Sequence, residues 1–150
     1  MISLSQTLPE INLVTFGKDI HFRVLGRLEY RGADINLEMV KSGWAIPYFI
    51  CDGPFCDEKF FERQKVATYM EACKQARQSG LGVFDPKNPL KEMPFEFRLR
   101  MQQRHPDKFV GDVETHQLFA PAAYAKVDVC ARIFFPSEKN AIALGFQSVH

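Results

Sequence analysis

Arginine is the residue in this sequence best suited to chemistry on a polyanion. Arg23 opens a period-two stretch; a guanidinium can grip a phosphate bidentately and stabilise the charge that develops during transfer, but a solvated residue at a strand start accounts for Arg23 equally well. His21, two residues earlier, offers a second donor, although a turn residue accounts for it more simply. Arg27 and Arg31 extend the basic face, but Glu29 interrupts them and a surface role is expected. The second group is Arg98, Arg100, Arg104 and Lys108 with His105, the best local basic cluster. As a phosphate track it would bind in a salt-dependent way. A basic strand edge that discourages sheet-to-sheet pairing is the simpler account.

Other chemistries are not written here. There is no Ser-His-Asp spacing, phosphate loop or dinucleotide fingerprint. Cys130 and His116 do not complete the four-ligand set of a structural zinc, so no metal is expected. The formal net charge of +1 gives no global attraction to nucleic acid, and any such role must rest on a local patch.

The elements that must position these residues follow from pattern. Phe22, Val24, Leu28 and Tyr30 share one face of an extended stretch, with Gly26 among them. Ile11–Phe16 before it, with Gly17-Lys18-Asp19 as turn, makes a candidate hairpin. Asp34 is a plausible N-cap for a short helix over about 35–42 that stops at Gly43. Pro47 then forces Trp44–Phe49 to run extended. Asp57 can cap a long helix to about Ser79, with Val66, Tyr69, Met70, Cys73 and Ala76 as its apolar stripe and Gly80 as its stop. Phe84–Pro94, with three prolines, reads as a boundary. Beyond it Phe95, Phe97, Leu99 and Met101 alternate with charged residues and predict a strand. Short strands are expected at 109–110, 117–119 and 132–135, and Ser137 can cap a last helix ending at Gly145.

The stretch from Asp19 to Ala45 resembles, without a gap, the C-terminal half of the staphylococcal-nuclease (thermonuclease) family. The family pattern D-x-Y-G-R-x-L-A is matched by Asp19-Ile20-His21-Phe22-Arg23-Val24-Leu25-Gly26. Gly32, Asn36-Leu37-Glu38-Met39-Val40, Gly43, Ala45 and Tyr48 continue it, and 76–84 matches the end of the family's long helix. The resemblance covers about residues 11–86. It implies a five-stranded OB-type barrel with three helices and calcium-dependent cleavage of DNA and RNA. It also implies that Arg23 holds one of two phosphate-binding arginine positions, with His21 where a tyrosine usually stands. The calcium-binding aspartates, the other arginine and the general-base glutamate of the family have no counterparts in this sequence. Residues 108–145 weakly resemble small zinc modules, with Ala122 or Ala123, and Ser148 or Val149, at the cysteine positions.

The resulting expectation is an α+β chain: a partial OB-type barrel over 1–86 with a short and a long helix, a linker at 87–94, and a small β-rich α+β extension over 95–150. Its expected role is nuclease-like, either as part of a longer nuclease or as a non-catalytic module. Catalysis would rest on Arg23, and phosphate binding on His21, Arg23, Arg98 and Arg100. No cofactor is expected, calcium belonging only to a complete family member. Nucleic acid, a second copy or a protein partner are the expected partners, and a membrane is not. The N-terminus has no basic and apolar signal-peptide regions, and no run nears the roughly 18 apolar residues of a membrane span. A cytoplasmic protein is expected. Cys51, Cys56, Cys73 and Cys130 should then be reduced thiols, a Cys51–Cys56 loop disulfide being possible only in an oxidising compartment.

Overall fold

The computed structural model describes residues 10–18, 22–53 and 56–149. Its architecture is mixed α+β with two separate sheets, and no closed barrel forms among the described residues. Two compact units divide between Met39 and Val40.

In the first unit, strand β1 (Ile11–Lys18) pairs antiparallel with β2 (Val24–Tyr30), and β2 pairs with the two-residue β3 (Ala33–Asp34). The two expected strands do pair, but Gly17 and Lys18, expected as turn, continue β1 opposite Leu25 and Val24, and Asp19 lies outside the described residues. Leu13 faces Leu28 and Ile11 faces Tyr30, and a bulge between Thr15 and Gly17 shifts the register. Helix α1 (Ile35–Lys41) follows directly, and the Asp34 carboxylate caps it by accepting the Leu37 N–H at 3.1 Å. The strand periodicity puts Ile11, Leu13, Val24 and Leu28 on one face, and that face is open: they are 61, 53, 53 and 43% exposed.

The second unit is built around β7 (Arg132–Phe135), which lies between β4 (Phe49–Ile50, parallel) and β5 (Phe109–Asp112, antiparallel). Strands β6 (Gln117–Phe119) and β8 (Gln147–Ser148) complete the sheet in the order β4-β7-β5-β6-β8. The three strands expected from the sequence at 109, 117 and 132 are all present. Both faces of β7 are covered. Ile133 and Phe135 pack with Cys51, Phe60, Val66, Met70, Leu118 and Phe146. Phe134 packs on the other side with Val110 and Val127, joined by Tyr48, Phe95 and Tyr124.

Three expectations are corrected. The long helix of 57–79 is two helices, α2 (Phe60–Arg63) and α3 (Val66–Gln78), broken where Lys65 adopts φ 51°. In one continuous helix Phe60 and Val66 would point about 240° apart; the break lets both enter the same core. Residues 95–101 form no strand but helix α4 (Pro94–Met101). Pro94 presets the first turn, and the Glu96 carboxylate accepts the Met93 N–H at 2.8 Å, which outweighs the alternating pattern. Phe95 turns inward while Phe97 and Met101 stay exposed. The four cysteines are not thiols: Cys51 is bonded to Cys56 and Cys73 to Cys130. Cys73 lies on α3 and Cys130 just before β7, and the Lys74–Glu114 and Arg77–Asp128 ion pairs join α3 to the same side of the sheet.

Two glycines of the second unit, Gly43 and Gly82, lie backbone against backbone. Gly43 O accepts the Val83 N–H at 2.9 Å. A Cβ on Gly82 would lie 2.3 Å from Gly43 O and one on Gly43 2.2 Å from Leu81 O, so neither position admits a side chain. Helix α5 (Glu138–Ala143) is capped as expected, Ser137 Oγ accepting the Asn140 N–H at 3.3 Å.

Candidate nucleic-acid interface

Arg23 stands immediately ahead of β2 and is exposed. Its neighbour Phe22 has φ 60° and is 82% exposed. A bulky side chain in the left-handed region carries about 1–3 kcal/mol of strain, a cost that concentrates at functional positions. His21 lies outside the described residues, as do Asp19 and Ile20.

On β2, Arg27 pairs with Glu29 at 3.2 Å and Asp34 at 3.3 Å, and its guanidinium lies 5.4 Å from the centre of the Phe16 ring. Arg31 rests over Tyr30 at 5.1 Å. The carboxylates of Glu29 and Asp34 are therefore committed to Arg27 and to the α1 cap. Calcium takes six to eight oxygen ligands, and no group of three or more His, Cys, Asp or Glu among the described residues is arranged to hold a metal. This donor set does not fit calcium, and no chemical step is routed through it.

The second basic group is taken apart by α4. Residues two apart on a helix point about 200° from each other, so Arg98 and Arg100 diverge instead of sharing a strand face. Arg100 is bound by Glu92, with Nη2 to Oε1 at 2.5 Å, and lies over Phe97. The hydrogen bond from Arg100 holds the Glu92 carboxyl below the usual carboxylate range. Arg104 and Lys108 both pair with Asp107. Arg98 takes no carboxylate among the described residues; it lies 5.2 Å over the Tyr48 ring.

Arg98 lines a pocket of about 120 Å³ between the chain leading into β4, the start of α4 and β7. Its floor is aromatic: Tyr48, Phe95 and Phe134 pack with ring centres 4.6–5.8 Å apart. Arg132 lines it as well. This arginine is half-buried; its Nε donates to Val127 O at 2.9 Å and its guanidinium lies 5.3 Å over Tyr124. The two carboxylates nearest in effect to Arg132 are occupied. Glu96 accepts from Tyr124 Oη at 3.0 Å and from the Met93 N–H, while Asp128 is held by Arg77 and the Cys130 N–H. Burial pushes the Tyr48 hydroxyl above its ordinary value, against the opposing pull of Arg98.

Sequence reasoning singled out Arg98 but not Arg132. The signal for Arg132 was a lone cation heading the apolar run Ile133-Phe134-Phe135. Period two places Arg132 on the Phe134 side of the strand.

Over most of its length this chain is similar to part of a nuclease. It is 35% identical over 131 residues to endonuclease YhcR of Bacillus subtilis (strain 168), across 87% of this chain and 10% of that endonuclease. The chain thus spans about a tenth of the length of the curated relative it matches. No protein-family description matches the chain, and no solved structure matches it.

Proposed function

We propose that this chain is a nuclease-like module of phosphodiester-hydrolysis ancestry that binds nucleic acid, related to the C-terminal half of the thermonuclease family and to its OB-type barrel. The observation that carries the reading is the 35% identity to an endonuclease, spread over 87% of the chain. In this reading Arg23 grips a phosphate, with His21 as a second donor and Arg98 as a further contact. Arg100 contributes less, because Glu92 already occupies it. Calcium ligation and general-base chemistry are not assigned to these residues.

The test is binding and cleavage of labelled single-stranded DNA, with and without calcium. Salt-sensitive binding that Arg23→Ala weakens several-fold, without cleavage, is the expected result. Calcium-dependent cleavage abolished by Arg23→Ala would replace it with the catalytic reading, and absence of binding would remove both.

A second reading, a module for a protein partner or a second copy of the chain, is favoured by the exposed apolar face of β1 and β2. A monodisperse monomer at high concentration counts against it. On location, the paired cysteines favour an oxidising compartment over the expected cytoplasm. No helix among the described residues is long and apolar enough to cross a membrane.

A further inference from the structure

We propose that the pocket between Tyr48, α4 and β7 receives one nucleotide of a single strand, its planar base against the rings and its phosphate on Arg98 and Arg132. The proposal rests on the nucleic-acid reading above and deepens it by naming the strand type and the receiving residues. Both arginines lie outside the stretch that resembles the thermonuclease family.

The first argument is charge. The unit from Val40 to His150 contains six arginines. Arg63, Arg77, Arg100 and Arg104 are in salt bridges with Asp57, Asp128, Glu92 and Asp107. The two in no salt bridge among the described residues, Arg98 and Arg132, line the same pocket. A half-buried guanidinium without a carboxylate partner is costly, and an anion entering the pocket would relieve that cost at Arg132. The carboxylates that could compete, Glu96 and Asp128, already accept hydrogen bonds from other donors.

The second argument is shape. The volume of about 120 Å³ is close to the roughly 150 Å³ cavity known to hold one benzene ring, which suits a single pyrimidine better than a base pair. The rings of Tyr48 and Phe95 supply the stacking surface, and stacking is tolerant of sequence because every base has a π-face. The Tyr48 hydroxyl, which donates to no other residue among those described, is available to a base edge or a phosphate oxygen. A duplex must unpair and unstack a base before a pocket of this size can receive it, a cost that a single strand largely avoids.

The experiment is fluorescence anisotropy with a labelled single-stranded thymidine dodecamer and with a duplex of the same length, on the full 150-residue chain at several salt concentrations. The single strand is expected to bind more tightly than the duplex. Arg98→Met, an exposed position whose replacement keeps the aliphatic cover over Tyr48, should weaken single-strand binding about tenfold and reduce the salt slope by about 0.7, one phosphate's share. Arg132→Met should act in the same direction, and Lys139→Met, at an exposed position on α5, should leave binding unchanged. If Arg98→Met and Arg132→Met bind as the parent does while Arg23→Ala fails, the pocket assignment is wrong and the nucleic-acid reading stands. If the parent chain binds neither probe, both fall. Equal affinity for duplex and single strand also overturns the pocket assignment.

Discussion

Strands β2 and β7 both read as apolar in the sequence, yet the structure treats them in opposite ways. Ile133, Phe134 and Phe135 of β7 are 0, 2 and 0% exposed, with side chains packed above and below the sheet. Val24 and Leu28 of β2 present their apolar face to the exterior, while the other face is filled by the Arg27–Glu29–Asp34 ion group. The difference teaches that an apolar run becomes core only where other elements cover both of its faces. The second unit holds a core of its own, closed by two disulfides. The first unit keeps a surface that stays exposed unless something covers it.

The sharpest way to break this comparison is to truncate one strand and then the other. Phe134→Ala should destabilise the protein by about 3–5 kcal/mol through lost burial and the cavity left behind. Leu28→Ala should cost less than about 1 kcal/mol, because little burial is lost there. Urea unfolding followed by circular dichroism measures both; equal effects would show that the first sheet is covered in solution. The Cys73–Cys130 link comes next, its partners separated by 57 positions. Closing a loop of that length is worth about 4 kcal/mol in the chain-entropy account. Cys73→Ser should lower the thermal midpoint by roughly 10 °C or more, whereas an unchanged midpoint would show that this bond adds nothing to the core of the second unit.

The smallest effect concerns Asp128. Burial alone would raise its carboxyl, but hydrogen bonds from Arg77 and the Cys130 N–H hold it below the ordinary range. A depressed folded pKa gives stability that is present above the unfolded value of about 4 and lost as pH falls through the folded one. Asp128→Asn should therefore cost under about 1 kcal/mol at pH 7, the pair being partly exposed. The gap from the parent should close as pH falls far enough to protonate the folded carboxylate. A gap that persists at the acid end of the range would point to packing instead of charge.

Local signals were legible in the sequence wherever a residue's own chemistry decides. Asp34 and Ser137 cap helices, Gly43 and Gly80 end them, and the short strands of the second unit fall where the apolar runs are. The failures share a cause: tertiary partners overruled local pattern. Alternation at Phe95–Met101 lost to Pro94 and the Glu96 cap, and the helix through Lys65 broke so that Phe60 and Val66 could share one core. Nothing local announces that Phe49–Ile50 pairs with Ile133–Phe134, which is what brings Tyr48 beside Phe95 and Phe134. For that reason Arg132 was invisible as a site residue, and Arg98 and Arg100 were expected to act together when α4 turns them apart. The disulfides were missed because cysteine pairing was inferred from an assumed compartment and not from contact.

The central claim, that this nuclease-like chain holds nucleic acid through a few exposed arginines, is tested most directly by titrating a labelled single-stranded DNA with the 150-residue protein across a range of salt. The account predicts saturable binding whose logarithm falls linearly with the logarithm of salt, with a slope of about −1.4 to −2 for two or three phosphates. No binding at about 50 mM salt, or binding indifferent to salt, would contradict it.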